Sequence, residues 1–199
     1  MFHKDGPLIF AATLNQIDTD GGYTNMNFSE FLDKVNFEVK DIVFEGPMVI
    51  GIDHGDCWLK DRQVIEDWDL QKSMDGIKRS FEQAVLGGYD LIHVDPTIDK
   101  SLHPGEIIDI EVVVDRTVEP ICHIEKFRRD KNLTKISYEV GTEEVHGGLT
   151  DICTFKKFLK LLRKKLELNS FSDVWPCFVM GKVGTDLHTT YFDSSVVKN

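Results

Sequence analysis

The residues best suited to chemistry stand at the end of an apolar run, Met48-Val49-Ile50-Gly51-Ile52-Asp53-His54-Gly55. A carboxylate followed by an imidazole offers a proton acceptor and a metal donor side by side. Pro47 in front and a polar, glycine-containing turn behind mark the run as a buried parallel strand. In α/β folds, ligands and metals collect where such strands give way to loops. The bland alternative is that Asp53 caps the next segment and His54 is a hydrogen-bonded buried histidine.

Two further strand-like stretches carry polar residues near their ends. Alternation puts Leu91, His93 and Asp95 on one face, Ile92 and Val94 on the other. It likewise sets Ser137 and Glu139 opposite Ile136, Tyr138 and Val140. No histidine has the short local spacing of a zinc signature, so a metal centre would have to be assembled through space. His54 supplies one ligand; His93, Glu139, His146 and His188 are the residues that could complete it. An Asp53 that exchanges a proton with a substrate hydroxyl needs its pKa raised by burial or by neighbouring acids such as Glu139 and Asp95. Phosphate groups would need backbone amides at Gly21, Gly22 and Gly184, or Lys60, Arg62 and Lys182. Each of these cations also reads as an ordinary surface charge. His3 and His123 read as structural or exposed, and His103, beside Pro104-Gly105, as a loop residue.

The elements that must position these groups alternate along the chain. Strands are expected at residues 8–15, 47–54, 89–96, 135–141 and 176–181. Helical spacing of apolar residues falls in 29–35, 63–86, 106–128 and 155–168. Gly87-Gly88 closes the second helix as helices commonly close. The lysine-rich side of the last helix reads as a solvated face. Residues 182–199 form a polar, irregular tail to a single domain spanning 1–199. Such alternation is βα-unit architecture. One polar and one apolar strand face favours a barrel over a doubly wound sheet, whose faces would both be apolar.

Composition narrows the function classes. The 199 residues are 41% hydrophobic and 29% charged, enough for one core. A net charge of −11 makes nucleic acid and anionic membrane surfaces poor partners. No run approaches the ~18 apolar residues of a membrane span. Cys57, Cys122, Cys153 and Cys177 are scattered and read as reduced packing thiols of a cytoplasmic protein.

Four pieces, in this order and spacing, resemble the class II ketose-bisphosphate aldolase superfamily. They are Asn15-Gln16 with Gly21-Gly22-Tyr23-Thr24-Asn25-Met26; Gly51-Ile52-Asp53-His54-Gly55; Ile92-His93-Val94-Asp95; and Ser137-Tyr138-Glu139-Val140-Gly141-Thr142-Glu143. The resemblance covers roughly residues 8–192 and is greatest to accessory, non-catalytic subunits of class II D-tagatose-1,6-bisphosphate aldolase. It implies a (β/α)8 barrel, of which about the second to sixth strands are present. It also implies catalytic roles for Asp53 as acid/base and for Glu139; Asn15, Gly21, Gly22, Asp95 and Lys182 are the candidate substrate contacts. Zinc ligation would fall to His54; His93 and His188 are further metal candidates by their place near strand ends, although His188 resembles a histidine of the accessory subunit rather than the zinc ligand. Glu143 and Glu144 match an acidic pair loosely. One departure is clear. Catalytic members carry a His-Gly-Gly after the sixth strand, where this chain reads Met180-Gly181-Lys182-Val183-Gly184.

Two functional readings follow from the resemblance. In one, the chain supports a separate catalytic aldolase subunit, or self-associates. In the other, it is itself a metal-dependent aldolase or epimerase acting on a sugar phosphate or sugar acid. Either way an incomplete barrel is expected, with apolar edge strands at 8–15 and 176–181 exposed or paired to a partner.

Overall fold

The computed structural model describes residues 6–42, 44–103, 106–141 and 151–181. Their elements are β1 (Leu8–Thr13), α1 (Phe28–Asp41), β2 (Met48–Gly55), α2 (Asp61–Ile65), α3 (Leu70–Leu86), β3 (Leu91–Val94), α4 (Ile110–Asp130), β4 (Ser137–Gly141), α5 (Ile152–Leu168) and β5 (Phe178–Met180). The strands form one parallel sheet in chain order, β1-β2-β3-β4-β5. Each crossover is helical, as parallel neighbours require.

Burial divides the sheet into two unlike faces. On one, Ala12, Ile50, Ile52, Ile92, Val94, Tyr138 and Val140 join a single core with Ile77 and Phe81 of α3, Val114 and Ile121 of α4, and Phe158 and Leu162 of α5. The other face carries Ile9, Gly51, Asp53, His93, Glu139 and Phe178 at matching register. Its outer columns are open: Ile9 is 53% exposed, Phe178 48% and Met180 42%. This is part of a barrel of the (β/α)8 type, left open, since a doubly wound sheet would bury both faces under helices. Among the described residues, β1 and β5 have no strand on their outer sides.

Expected and observed elements differ in informative places. The helix expected over 63–86 is two helices. Asp67 has a left-handed φ of 49°, and Asp69 caps α3 by accepting from the Lys72 amide. The helix expected from 106 starts at Ile110, where Asp109 accepts from the Glu111 amide. α1 begins at Phe28 with a full capping box between Asn27 and Glu30. Pro120 lies inside α4, so the Arg116 carbonyl lacks the amide that would ordinarily bond to it. The cysteines are free as expected, but only Cys57 is fully packed; Cys153 and Cys177 are exposed. The lysine side of α5 is solvated at Lys156, Lys157, Lys160 and Lys164. The tail expected at 182–199 lies outside the described residues. Among those described, no helix is long and apolar enough to cross a membrane.

Candidate functional site

The site begins with a defect in the sheet. β2 pairs with β3 at Ile52↔Ile92 and next at Gly55↔Val94. Three steps on one strand therefore match two on the other, which is a β-bulge. His54 is the strained residue of that bulge, with φ 48°, a region a non-glycine residue rarely occupies. Bulges of this kind re-aim side chains next to functional sites. The sequence shows why the strand can bend here. A Cβ on Gly55 would stand 2.5 Å from the Phe81 ring and 3.0 Å from the His93 carbonyl oxygen. Only glycine lets β2 approach β3 and α3 this closely.

The bulge brings the ends of β2 and β3 together. His54 Nδ1 lies 2.5 Å from Asp95 Oδ2, and its Nε2 lies 3.9 Å from Asp53 Oδ1. His93 Nδ1 lies 3.3 Å from Asp53 Oδ1 and 3.5 Å from the His54 amide nitrogen. The two imidazole rings are 5.1 Å apart. His93 and Asp95 are buried, whereas Asp53 and His54 are partly open. His93 Nε2 and Asp95 Oδ1 are buried with no hydrogen-bond partner among the described residues. The hydrogen bond from His93 holds the Asp53 carboxyl below its ordinary range despite burial. The expectation of a raised Asp53 pKa is therefore reversed. A carboxyl held low in this way favours its ionised form, which suits it to accept a proton or to face a cation.

One potential ligand atom each from Asp53, His54 and His93 lies within 4.8 Å of the others. Two imidazoles and a carboxylate suit a small divalent cation such as zinc. The Asp95–His54 contact is the carboxylate partner that commonly orients a metal-bound histidine. By donor chemistry and mutual distance, these residues fit a metal.

The other expected site residues are placed differently. Glu139 is the register partner of His93 on β4 and is half-buried. It sits one strand spacing away, about 4.8 Å. Asn15 is occupied as a tie. Its amide donates to the Leu59 carbonyl and to Asp61 Oδ1, and its oxygen accepts from the Asp61 amide. Gly21 and Gly22 have φ of 92° and 53°. A Cβ on Gly22 would meet the Gln16 carbonyl at 2.5 Å. This glycine loop, with Lys60, Asp61 and Arg62, lines an open cleft of about 290 Å³. Lys60 is neither a surface charge nor a free phosphate donor. It is buried between Asp18, 2.5 Å away, and Asp20, 2.8 Å away. Arg62 is paired with Asp20 and Glu66. Lys182, His188, His146, Gly184, Glu143 and Glu144 lie outside the described residues.

Sequence reasoning missed one buried pair close to the site. Arg116 of α4 donates to Asp56 Oδ2 at 2.7 Å, and both residues are buried. Burial pushes the Asp56 carboxyl up to about 6, with Arg116 pulling against it. The signal was available: Arg116 is a lone charge within the apolar stripe Val113, Val114, Thr117, Val118 and Ile121.

Comparison with known proteins agrees with this architecture. The chain is 29% identical to the D-tagatose-1,6-bisphosphate aldolase subunit GatZ of Klebsiella oxytoca over 150 residues, 73% of this chain and 34% of that one. It is 30% identical to the subunit of the same name from Escherichia coli K12 over 151 residues, 71% of this chain and 33% of that one. It thus spans about a third of the length of the curated relatives it matches. The solved structure of a probable tagatose 6 phosphate kinase from Sinorhizobium meliloti 1021 superposes with a TM-score of 0.73 at 18% identity, over 94% of this chain and 46% of that chain. That likeness is one of fold alone. Residues 1–175 match the family described as D-tagatose-1,6-bisphosphate aldolase subunit GatZ/KbaZ-like, and the chain belongs to that family.

Proposed function

We propose that this chain serves the aldol cleavage of a ketose bisphosphate, D-tagatose 1,6-bisphosphate by its relatives' names, as a supporting part of an aldolase assembly. The observation that carries the reading is the family match over residues 1–175, to proteins named as subunits. The partner is then a catalytic aldolase subunit. The sequence after β5 supports the supporting role, because Met180-Gly181-Lys182 stands where catalytic members carry a zinc histidine.

A specific observation favours a second reading, in which the chain does chemistry itself. Asp53, His54 and His93 cluster as potential donors. When bound, a divalent cation would supply Lewis-acid stabilisation of the negative charge that develops at the substrate carbonyl oxygen. The protein's own part is to hold Asp53 ionised through His93, and to fix His54 through Asp95. An ionised Asp53 at the open rim suits acceptance of a proton from a substrate hydroxyl.

Metal analysis of the purified chain, with aldol-cleavage assays alone and with a catalytic subunit, separates the two. The supporting role predicts no cleavage by the chain alone and a gain in the partner's activity or lifetime. Under it, His54→Ala leaves that gain nearly intact. Metal-dependent cleavage by the isolated chain, lost in His54→Ala, would replace this reading with the second.

A further inference from the structure

We infer that Arg116 is a positioning residue for the candidate site, holding the ends of β2 and β3 in the one arrangement that pairs Asp53 with His93 and His54 with Asp95. The inference rests on reading that constellation as functional. It depends on where the guanidinium reaches. Its Nη2 donates to Asp56 Oδ2 at 2.7 Å and to the Ile98 carbonyl at 2.8 Å. Its Nη1 lies 3.7 Å from Asp99 Oδ2, and its plane lies over the Trp58 ring at 5.2 Å. Asp56 stands two residues after His54, and Ile98 three residues after Asp95. One side chain, rooted on the helix after β3, thus joins the loops leaving both strands that carry the site.

The chemistry suits arginine and not lysine. Both bonds come from Nη2, while Nε and Nη1 are buried with no hydrogen-bond partner among the described residues. What an ammonium does not offer is the flat, weakly hydrated guanidinium that stacks on Trp58 while it reaches both loops. The tie acts where the backbone needs it. His54 is held at φ 48° in a bulge, a conformation that persists only when its surroundings over-determine it. On one side His54 is anchored by Asp95; on the other, Asp56 anchors the chain two residues later. Without Arg116, Asp56 would be a buried carboxylate without its cation, and the loop carrying it would have to move toward water. That movement pulls on His54 directly.

The test compares Arg116→Lys with Leu162→Ala, a buried core truncation on α5 that destabilises without touching either loop. The readouts are thermal unfolding, the imidazole nitrogen NMR signals of His54 and His93, and Co²⁺ affinity. Positioning predicts that Arg116→Lys shifts or splits both imidazole signals and weakens Co²⁺ by about 10–100-fold. Leu162→Ala should lower stability and leave the signals in place. If Arg116→Lys does not fold, the double variant Asp56→Leu/Arg116→Met replaces the pair with apolar side chains and should show the same shifts. Unmoved imidazole signals in a folded variant lacking the arginine would overturn the inference. Failure of the wild type to bind Co²⁺ would count against the metal reading of the site, while the imidazole signals would still decide the role of Arg116.

Discussion

The β2–β3 half of the strand ends and the β4–β5 half differ in how firmly they are determined. At β2 and β3, a bulge, a glycine under an aromatic ring and two histidine–carboxylate pairs fix the side chains. At β4 and β5, Glu139 is half-buried, Phe178 and Met180 are exposed, and β5 is three residues long. Both halves belong to one parallel sheet, so strand pairing alone does not set the precision. What differs is the cover. The first half is tied by loops after β2 and β3 that share Arg116, and the described residues give the second no such tie.

The largest expected effect attacks the ordered half. Gly55→Ala should cost about 3 kcal/mol, because the new methyl meets both the Phe81 ring and the His93 carbonyl. Met180→Ala, in the open half, should stay within about 0.5 kcal/mol. Urea denaturation of the two variants measures the contrast, and equal losses would erase it.

Next comes Asp95→Asn. It keeps the shape but removes the charge that faces His54 Nδ1, and should weaken divalent cation binding by about 10–100-fold. Calorimetric titration with Zn²⁺ or Co²⁺ reads this; unchanged affinity would mean that Asp95 does not orient His54.

A smaller effect concerns pH. Asp53 has its pKa depressed by His93, so its contribution to stability is present above the unfolded value and lost as pH falls through the folded one. Asp53→Asn should therefore lower the Tm at neutral pH, by a gap that narrows as pH falls from about 5 towards about 3. Because Asp53 is partly open to water, which screens the pair, the gap should be small. A gap that widens in acid would reverse the assignment.

The least change in stability is expected for Ile9→Ser and Phe178→Ser on the open columns, though both should reduce self-association in sedimentation velocity. Association that is indifferent to both would show that these columns are not the contact.

Much of this was legible from sequence, for identifiable reasons. Apolar alternation located the strands because one face packs on helices, and that same alternation set His93 and Glu139 on the shared open face. The Asp-His-Gly end of β2 was readable because a charge and an imidazole stop an apolar run. The bulge was not, because Ile52-Asp53-His54-Gly55 reads as continuous strand until β3 is beside it. The depressed Asp53 pKa was missed for a related reason: the neighbour that sets it is 40 residues away. The tie from Asn15 to Leu59 and Asp61 was not legible either, since it joins two loops some 45 residues apart and local pattern does not encode it. The Lys60 cluster was hidden likewise, since its carboxylates lie some 40 residues upstream.

The strict chain order of the strands has a consequence for how the protein comes to be. Among the described residues, every strand pairs only with the one before it and the one after it. Each new strand and its helix can therefore dock on a surface already made, with a single crossover's loop closure to overcome. Folding can follow synthesis, unit by unit from the N-terminus. On that schedule β2 must wait for β3, some 40 residues later, before the His54 bulge has the partner that defines it. The site would be the last local detail of its own half to settle, at the moment α4 delivers Arg116.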